Sequence, residues 1–125
     1  MIITDDVALR LKSLGYTVSD EDIDTIDYCI KENEEYICNF CNINTIPLEL
    51  YNTAVDMCCG SFLKIKNSMD ELEDYNLKGA LSGITEGDIS VSYTNGISRD
   101  VLFDELIKRL SNKDSQLAGF RRLKW

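Results

Sequence analysis

The fold turns on residues 19–69, SDEDIDTIDYCIKENEEYICNFCNINTIPLELYNTAVDMCCGSFLKIKNSM. Up to Phe40, the residues Ile23, Ile26, Ile30, Ile37 and Phe40 recur at helical steps. After the link at Cys41–Pro47, Tyr51, Val55, Cys58, Phe62, Ile65 and Met69 do the same. Each pattern draws one apolar stripe along a helix. Two arms of about 22 residues, each about 33 Å long, joined by a short link predict an antiparallel helical hairpin. Asn33 falls where the first stripe calls for an apolar side chain. Two readings stay open for it: a half-exposed polar position, or a buried amide that fixes register or meets another subunit.

On the N-terminal side, Thr4-Asp5-Asp6, a Val7, Leu11, Leu14 face and Gly15 predict a short helix that must pack on something larger. Ser19-Asp20-Glu21-Asp22 is a capping pattern for the first arm, its acids facing the positive end of the helix dipole. Pro47 suits the first turn of the second arm. Gly60, inside that arm, should mark the close approach of a neighbouring helix. Asp70-Glu71-Leu72-Glu73-Asp74 reads as a polar connection. From Leu81 the period drops to two: Ile89, Val91 and Tyr93 alternate with polar residues, predicting a β-hairpin over about 81–95. A lone hairpin is marginal in water, so Ile89, Val91 and Tyr93 become candidate contacts with helices or with another copy. A last helix opens at Ser98-Arg99-Asp100, with Val101, Leu102, Leu106, Ile107 and Leu110 on its apolar side. The expected class is all-α: a bundle built on the long hairpin, with one β-hairpin between the last two helices. Its domain spans 1–112, followed by a basic, aromatic tail at 113–125.

At 125 residues and 44% hydrophobic, the chain suits a single core. A net charge of −9 argues against a general nucleic-acid binder. No apolar run is long enough to span a bilayer, so no membrane partner is expected. Asp5 and Asp6 stand where an export signal would be basic, and five cysteines without such a signal suggest reduced thiols in the cytoplasm. With no histidine, the commonest general base, metal ligand and nucleophile partner are missing. Charge is also segregated. From Lys108 to Trp125 there are six basic residues and one acid, leaving seven basic residues against twenty-one acids before them. The two regions, about +5 and −14, should meet different surfaces.

Candidate chemistry is sparse. Cys38-Asn39-Phe40-Cys41 is a CxxC, and Cys58-Cys59 adds two thiols, but adjacent cysteines on a helix point about 100° apart and do not converge on one zinc ion. The thiols read as small buried hydrophobes. Asp74-x-Asn76-x-Lys78-Gly79 opens like a calcium loop but places Lys78 at the fifth position and Thr85 at the twelfth, where Glu belongs. No catalytic residue, metal or cofactor is expected. Glu32, Glu34, Glu35, Asp70, Glu71, Glu73 and Asp74 read as solvated faces. The segment that stands out is Phe120-Arg121-Arg122-Leu123-Lys124-Trp125: aromatic and apolar side chains favour burial against a partner, and Arg offers forked hydrogen bonds to its carboxylates.

The order of these features carries a family resemblance. Leu11-Lys12-Ser13-Leu14-Gly15 comes first, then a long helix ending near Cys41-Asn42. Ile46-Pro47-Leu48-Glu49-Leu50 and Val55-Asp56-Met57 follow, then Ser82-Gly83-Ile84-Thr85-Glu86-Gly87-Asp88-Ile89-Ser90-Val91-Ser92-Tyr93 and Arg121-Arg122-Leu123-Lys124-Trp125. The chain resembles, over nearly its full length, the head–tail connector (head-completion adaptor) proteins of tailed phages and prophage elements. The resemblance implies a non-enzymatic structural protein of the virion neck, cytoplasmic in the host before assembly. It would form a ring, commonly of twelve copies, that bridges the portal protein to a stopper or tail-completion protein. It also implies that Phe120, Arg121, Arg122, Leu123, Lys124 and Trp125 engage the portal. An acidic tunnel wall would let DNA pass without sticking. The alternative is a small acidic regulatory protein that binds a single phage or host protein as a monomer or dimer.

Overall fold

The computed structural model describes residues 2–69, 71–72, 75 and 99–120. Among them every regular element is helical: α1 (Thr4–Ser13), α2 (Ile23–Cys41), α3 (Tyr51–Ser68), α4 (Arg99–Ser111) and α5 (Asp114–Ala118). The predicted β-hairpin at 81–95, with Ile89, Val91 and Tyr93, lies outside the described residues, as does most of the calcium-like segment.

Helices α2 and α3 are the expected hairpin. Each is preceded by one tighter 3-10 turn, Asp20–Asp22 and Leu48–Leu50, which accounts for the difference between the predicted 22 residues and the 19 and 18 observed. Asp22 makes the capping box, its carboxylate accepting the Ser19 N–H at 3.1 Å. At the far end Asn42 takes up a left-handed conformation (φ 59°), which any residue but Gly or Asn adopts at a cost. The Ile43 N–H then reaches back to the Cys38 carbonyl at 3.0 Å. Pro47 is extended and precedes the 3-10 turn rather than opening α3 itself. The α1 end is a Schellman motif, with Tyr16 N–H on Leu11 O, Gly15 N–H on Lys12 O, and Gly15 at φ 90°. Its start differs from expectation. Ile3 occupies the cap position without a side-chain bond, and Thr4 Oγ1 instead donates to Asp27 Oδ1 of α2 at 2.6 Å.

The core lies around α3, which packs against α1, α2 and α4. Ile26, Ile37, Cys58 and Phe62 of the stripes are fully buried, as are Val7 and Leu11 of α1 and Leu106 and Leu110 of α4. Met69 was expected on the α3 stripe but is exposed, because the helix ends at Ser68 and no longer holds it on that face. Asn33 is buried. Its Nδ2 donates to Cys29 O at 2.8 Å and to Ser61 Oγ at 3.0 Å, so the amide fixes the register of α2 on α3. The acidic connection after α3 also contributes to the core: Leu72 and Tyr75 are buried, and Tyr75 Oη donates to Leu14 O at 2.7 Å. Part of what reads as tail belongs to the body as well. Helix α5 packs on α2, Leu117 is fully buried, and Cys41 Sγ donates to Leu117 O at 3.3 Å.

Gly60 sits where α4 crosses α3. A Cβ there would lie 2.2 Å from Ser111 Oγ and 3.1 Å from Leu110 Cβ. Helix propensity favours Gly60→Ala by about 1 kcal/mol, but overpacking a tight crossing costs about 1–3 kcal/mol. Denaturant unfolding should therefore find Gly60→Ala destabilised by about 1 kcal/mol. In a Ser111→Ala background the penalty should shrink, since the closest obstacle is removed. A stabilised Gly60→Ala would contradict the crossing.

Candidate interaction surfaces

The described thiols serve the packing of the core. All five cysteines are thiols rather than disulfides, and four of them are buried. Burial pushes Cys29 and Cys58 up to about 12 and Cys59 higher still, so none of the three is thiolate at neutral pH. The Cys58 and Cys59 thiols face the carbonyls of Cys29 and Val7, at 3.9 and 3.7 Å, as small core side chains do. Cys38 is half-buried, and desolvation together with nearby Glu34 raises it too. Among the described residues no group of three or more Cys, Asp or Glu could hold a metal ion. None of their helices is long and apolar enough to cross a membrane.

A buried titratable cluster does exist, and its geometry is structural. Asp22 is 3% exposed. Its Oδ1 accepts Lys66 Nζ at 2.9 Å, and its Oδ2 accepts Tyr16 Oη at 2.9 Å and both the N–H and hydroxyl of Ser19. Lys66 also pairs with Glu71. Both carboxylate oxygens of Asp22 are therefore engaged within the fold. The cluster clasps the start of α2 to the end of α3 and to the chain that follows it. Burial by itself would raise Asp22, but the bonds from Lys66, Ser19 and Tyr16 outweigh it and hold the carboxyl below its ordinary 3.8. Lys66 is raised, chiefly by Glu71 and against the cost of burial, with Asp22 adding to the effect.

The outward surfaces are of three kinds. A polar groove between α1 and α3 is lined by Asp6, Arg10, Tyr51, Asn52, Val55 and Asp56. Arg10 Nε bonds Asp56 Oδ1 at 2.7 Å across it, and Tyr51 Oη bonds Asp6. Isolated apolar side chains stand out of the body, Leu48 at 85% exposure and Leu9 at 64%. The outer face of α2 carries exposed Asp24, Asp27, Glu32 and Glu35 against one basic residue, Lys31, with the rings of Tyr28 and Tyr36 between them. Tyr36 stacks on Phe40 and donates to Asp114 Oδ1 of α5 at 2.6 Å. Of the six predicted docking residues, only Phe120 is described. It is half-buried against the core, its N–H on Leu117 O at 2.9 Å, and is therefore an anchor at the root of the segment. Arg121, Arg122, Leu123, Lys124 and Trp125 lie outside the described residues. The Tyr36–Asp114 link escapes sequence reading, because its partners are 78 residues apart and no local pattern joins them.

A carboxyl with a folded pKa below its unfolded value stabilises the fold above the unfolded value, and that stabilisation is lost as pH falls through the folded one. Asp22→Asn should therefore cost about 2 kcal/mol at neutral pH, the worth of bonds to a buried charged group. It should also flatten the acid limb of the stability curve below about 3.8. Urea unfolding across pH would measure both effects, and an acid limb as steep as the parent's would contradict the clasp. Compared with known proteins, the chain matches no family model, no curated protein and no solved structure.

Proposed function

We propose that this protein is a structural head–tail connector of a tailed phage or prophage. In this reading it assembles as a ring beneath a portal, contacts a stopper or tail-completion protein on its other side, and lets DNA pass without binding it. The observation that carries the reading is the joining of an acidic helical body to a basic, aromatic segment, in the feature order that resembles connectors. The helical body is a support for such a role, with four of its five thiols buried and Asp22 bonded to Lys66, Tyr16 and Ser19. The acidic outer face of α2 supports the DNA argument, since a surface lined with carboxylates repels phosphate at short range. Neighbour contacts through the 81–95 segment, including Ile89, Val91 and Tyr93, and portal docking through Phe120–Trp125 are part of the same proposal.

Phe120 is packed on the body, so the informative truncation removes Arg121–Trp125 and keeps Phe120. This variant should keep the parent's helical signal and thermal midpoint while losing portal binding in a pull-down by at least tenfold, the order expected when aromatic and Arg anchors are removed. Undiminished binding would overturn portal docking by this segment. A single heterologous partner bound by a monomer or dimer would instead favour the acidic regulatory protein.

A further inference from the structure

Helix α1 presents a second face besides the one it gives to the core. Val7 and Leu11 are fully buried on the inner side. Asp5, Ala8, Leu9 and Lys12 recur at steps i, i+3, i+4 and i+7, which gathers them into one stripe turned away from Val7 and Leu11. Leu9 stands 64% exposed in that stripe, with Asp5 and Lys12 exposed on either side and Ala8 half-buried beside it. Together with Thr17 and Val18 of the following link, these four residues line an open depression of about 430 Å³. The order along the helix is acid, small, apolar, base, and its midpoint falls between Ala8 and Leu9. Such an order is its own complement when reversed. Among the described residues neither Asp5 nor Lys12 enters an ion pair. Asp5 lies in the first turn and Lys12 in the last, where the helix dipole favours each charge.

We propose that this face of α1 pairs with the same face of a second copy, the two helices running antiparallel about a two-fold axis between Ala8 and Leu9. A two-fold contact sets residue i against j and j against i. Here it sets Asp5 against the second copy's Lys12 and Lys12 against its Asp5. Leu9 of each copy then lies over the other's Ala8, whose short side chain leaves the depression open to it. Charge complementarity selects both the occupant and its direction. A parallel pairing would set Asp5 against Asp5 and Lys12 against Lys12, whereas the antiparallel one gives two opposite-charge pairs and opposed helix dipoles. One helix face per copy is a small interface, so the pair is transient. It goes beyond the connector reading and requires nothing of it.

Sedimentation velocity on the isolated full-length protein, from micromolar to millimolar concentration, should show a reversible monomer–dimer equilibrium that high salt weakens. Leu9→Glu should weaken it by at least tenfold, the order expected when a central apolar anchor is lost. Leu9 lies outside the core, so this variant should keep the parent's circular dichroism and thermal midpoint. Asp5→Lys alone and Lys12→Glu alone each set like charges opposite one another at both contacts. Each should weaken self-association about tenfold, the order expected for two exposed ion pairs turned repulsive. Mixed in equal amounts, the two variants set opposite charges at both contacts, and the mixture should dimerise about as well as the parent. A parent that is monomeric at millimolar concentration would overturn the pairing. A dimer indifferent to Leu9→Glu would also overturn it, by placing the interface elsewhere. A mixture that associates no better than its two components would overturn the antiparallel register. No portal enters the measurement, so its failure leaves the connector reading untouched.

Discussion

Helix α3 is packed against three other helices, and a helix covered on that many sides has little room for side chains at the level where they meet. Met57, Cys58, Cys59 and Gly60 are consecutive and all buried, so every direction around α3 is occupied there. Four successive positions on a helix sweep almost a full turn. Large side chains at all four would push α1, α2 and α4 apart. Small ones let them close, and the sequence places two cysteines and a glycine at this level. The thiols satisfy the packing while offering weak donors to the carbonyls of Cys29 and Val7. Gly60 admits α4 to within contact of the α3 backbone. Next to it Ser61 receives the Asn33 amide, which sets how far α2 slides along α3. The adjacent pair Cys58 and Cys59, which could suggest metal or redox chemistry, thus follows from crowding around one helix.

The hairpin was legible because its two arms repeat their apolar residues with helical period, and because Asn42 and Pro47 break the chain between them. The position of Gly60 likewise announced a close crossing, since a glycine inside a helix has a local cost that packing must offset. The rest was hidden for physical reasons. Asn33 could be read as exposed or buried until Ser61 was seen opposite it. Leu72 and Tyr75 sit in a run of carboxylates whose local character is that of a solvated connection, and only the distant Leu14 carbonyl and the core give them a place. Helix α5 has five residues and one buried anchor, Leu117, too little for any periodic pattern. As for the candidate site, sequence reading singled out Phe120–Trp125 by composition. It could not tell that Phe120 is an anchor, because that depends on where α5 lies on α2.

Charge separation links the fold to the proposed role. Most carboxylates lie on the hairpin and on α1, while the basic residues gather from Lys108 onward. Folding brings Phe120, where that basic segment begins, to the C-terminal end of α2, where the Leu117 carbonyl accepts from both Phe120 and Cys41. Such a body repels polyanions broadly yet offers one short stretch of opposite sign. For a connector, that combination serves passage of DNA and capture of a neighbouring protein component through different parts of one chain.

The central functional claim is assembly with a portal, and native mass spectrometry of this protein mixed with the portal protein of the element that encodes it tests that claim most directly. The account predicts a discrete complex with many copies of this chain on each portal ring, twelve in the arrangement that connectors commonly adopt. A chain that stays monomeric or dimeric at every concentration and never joins the portal would contradict it.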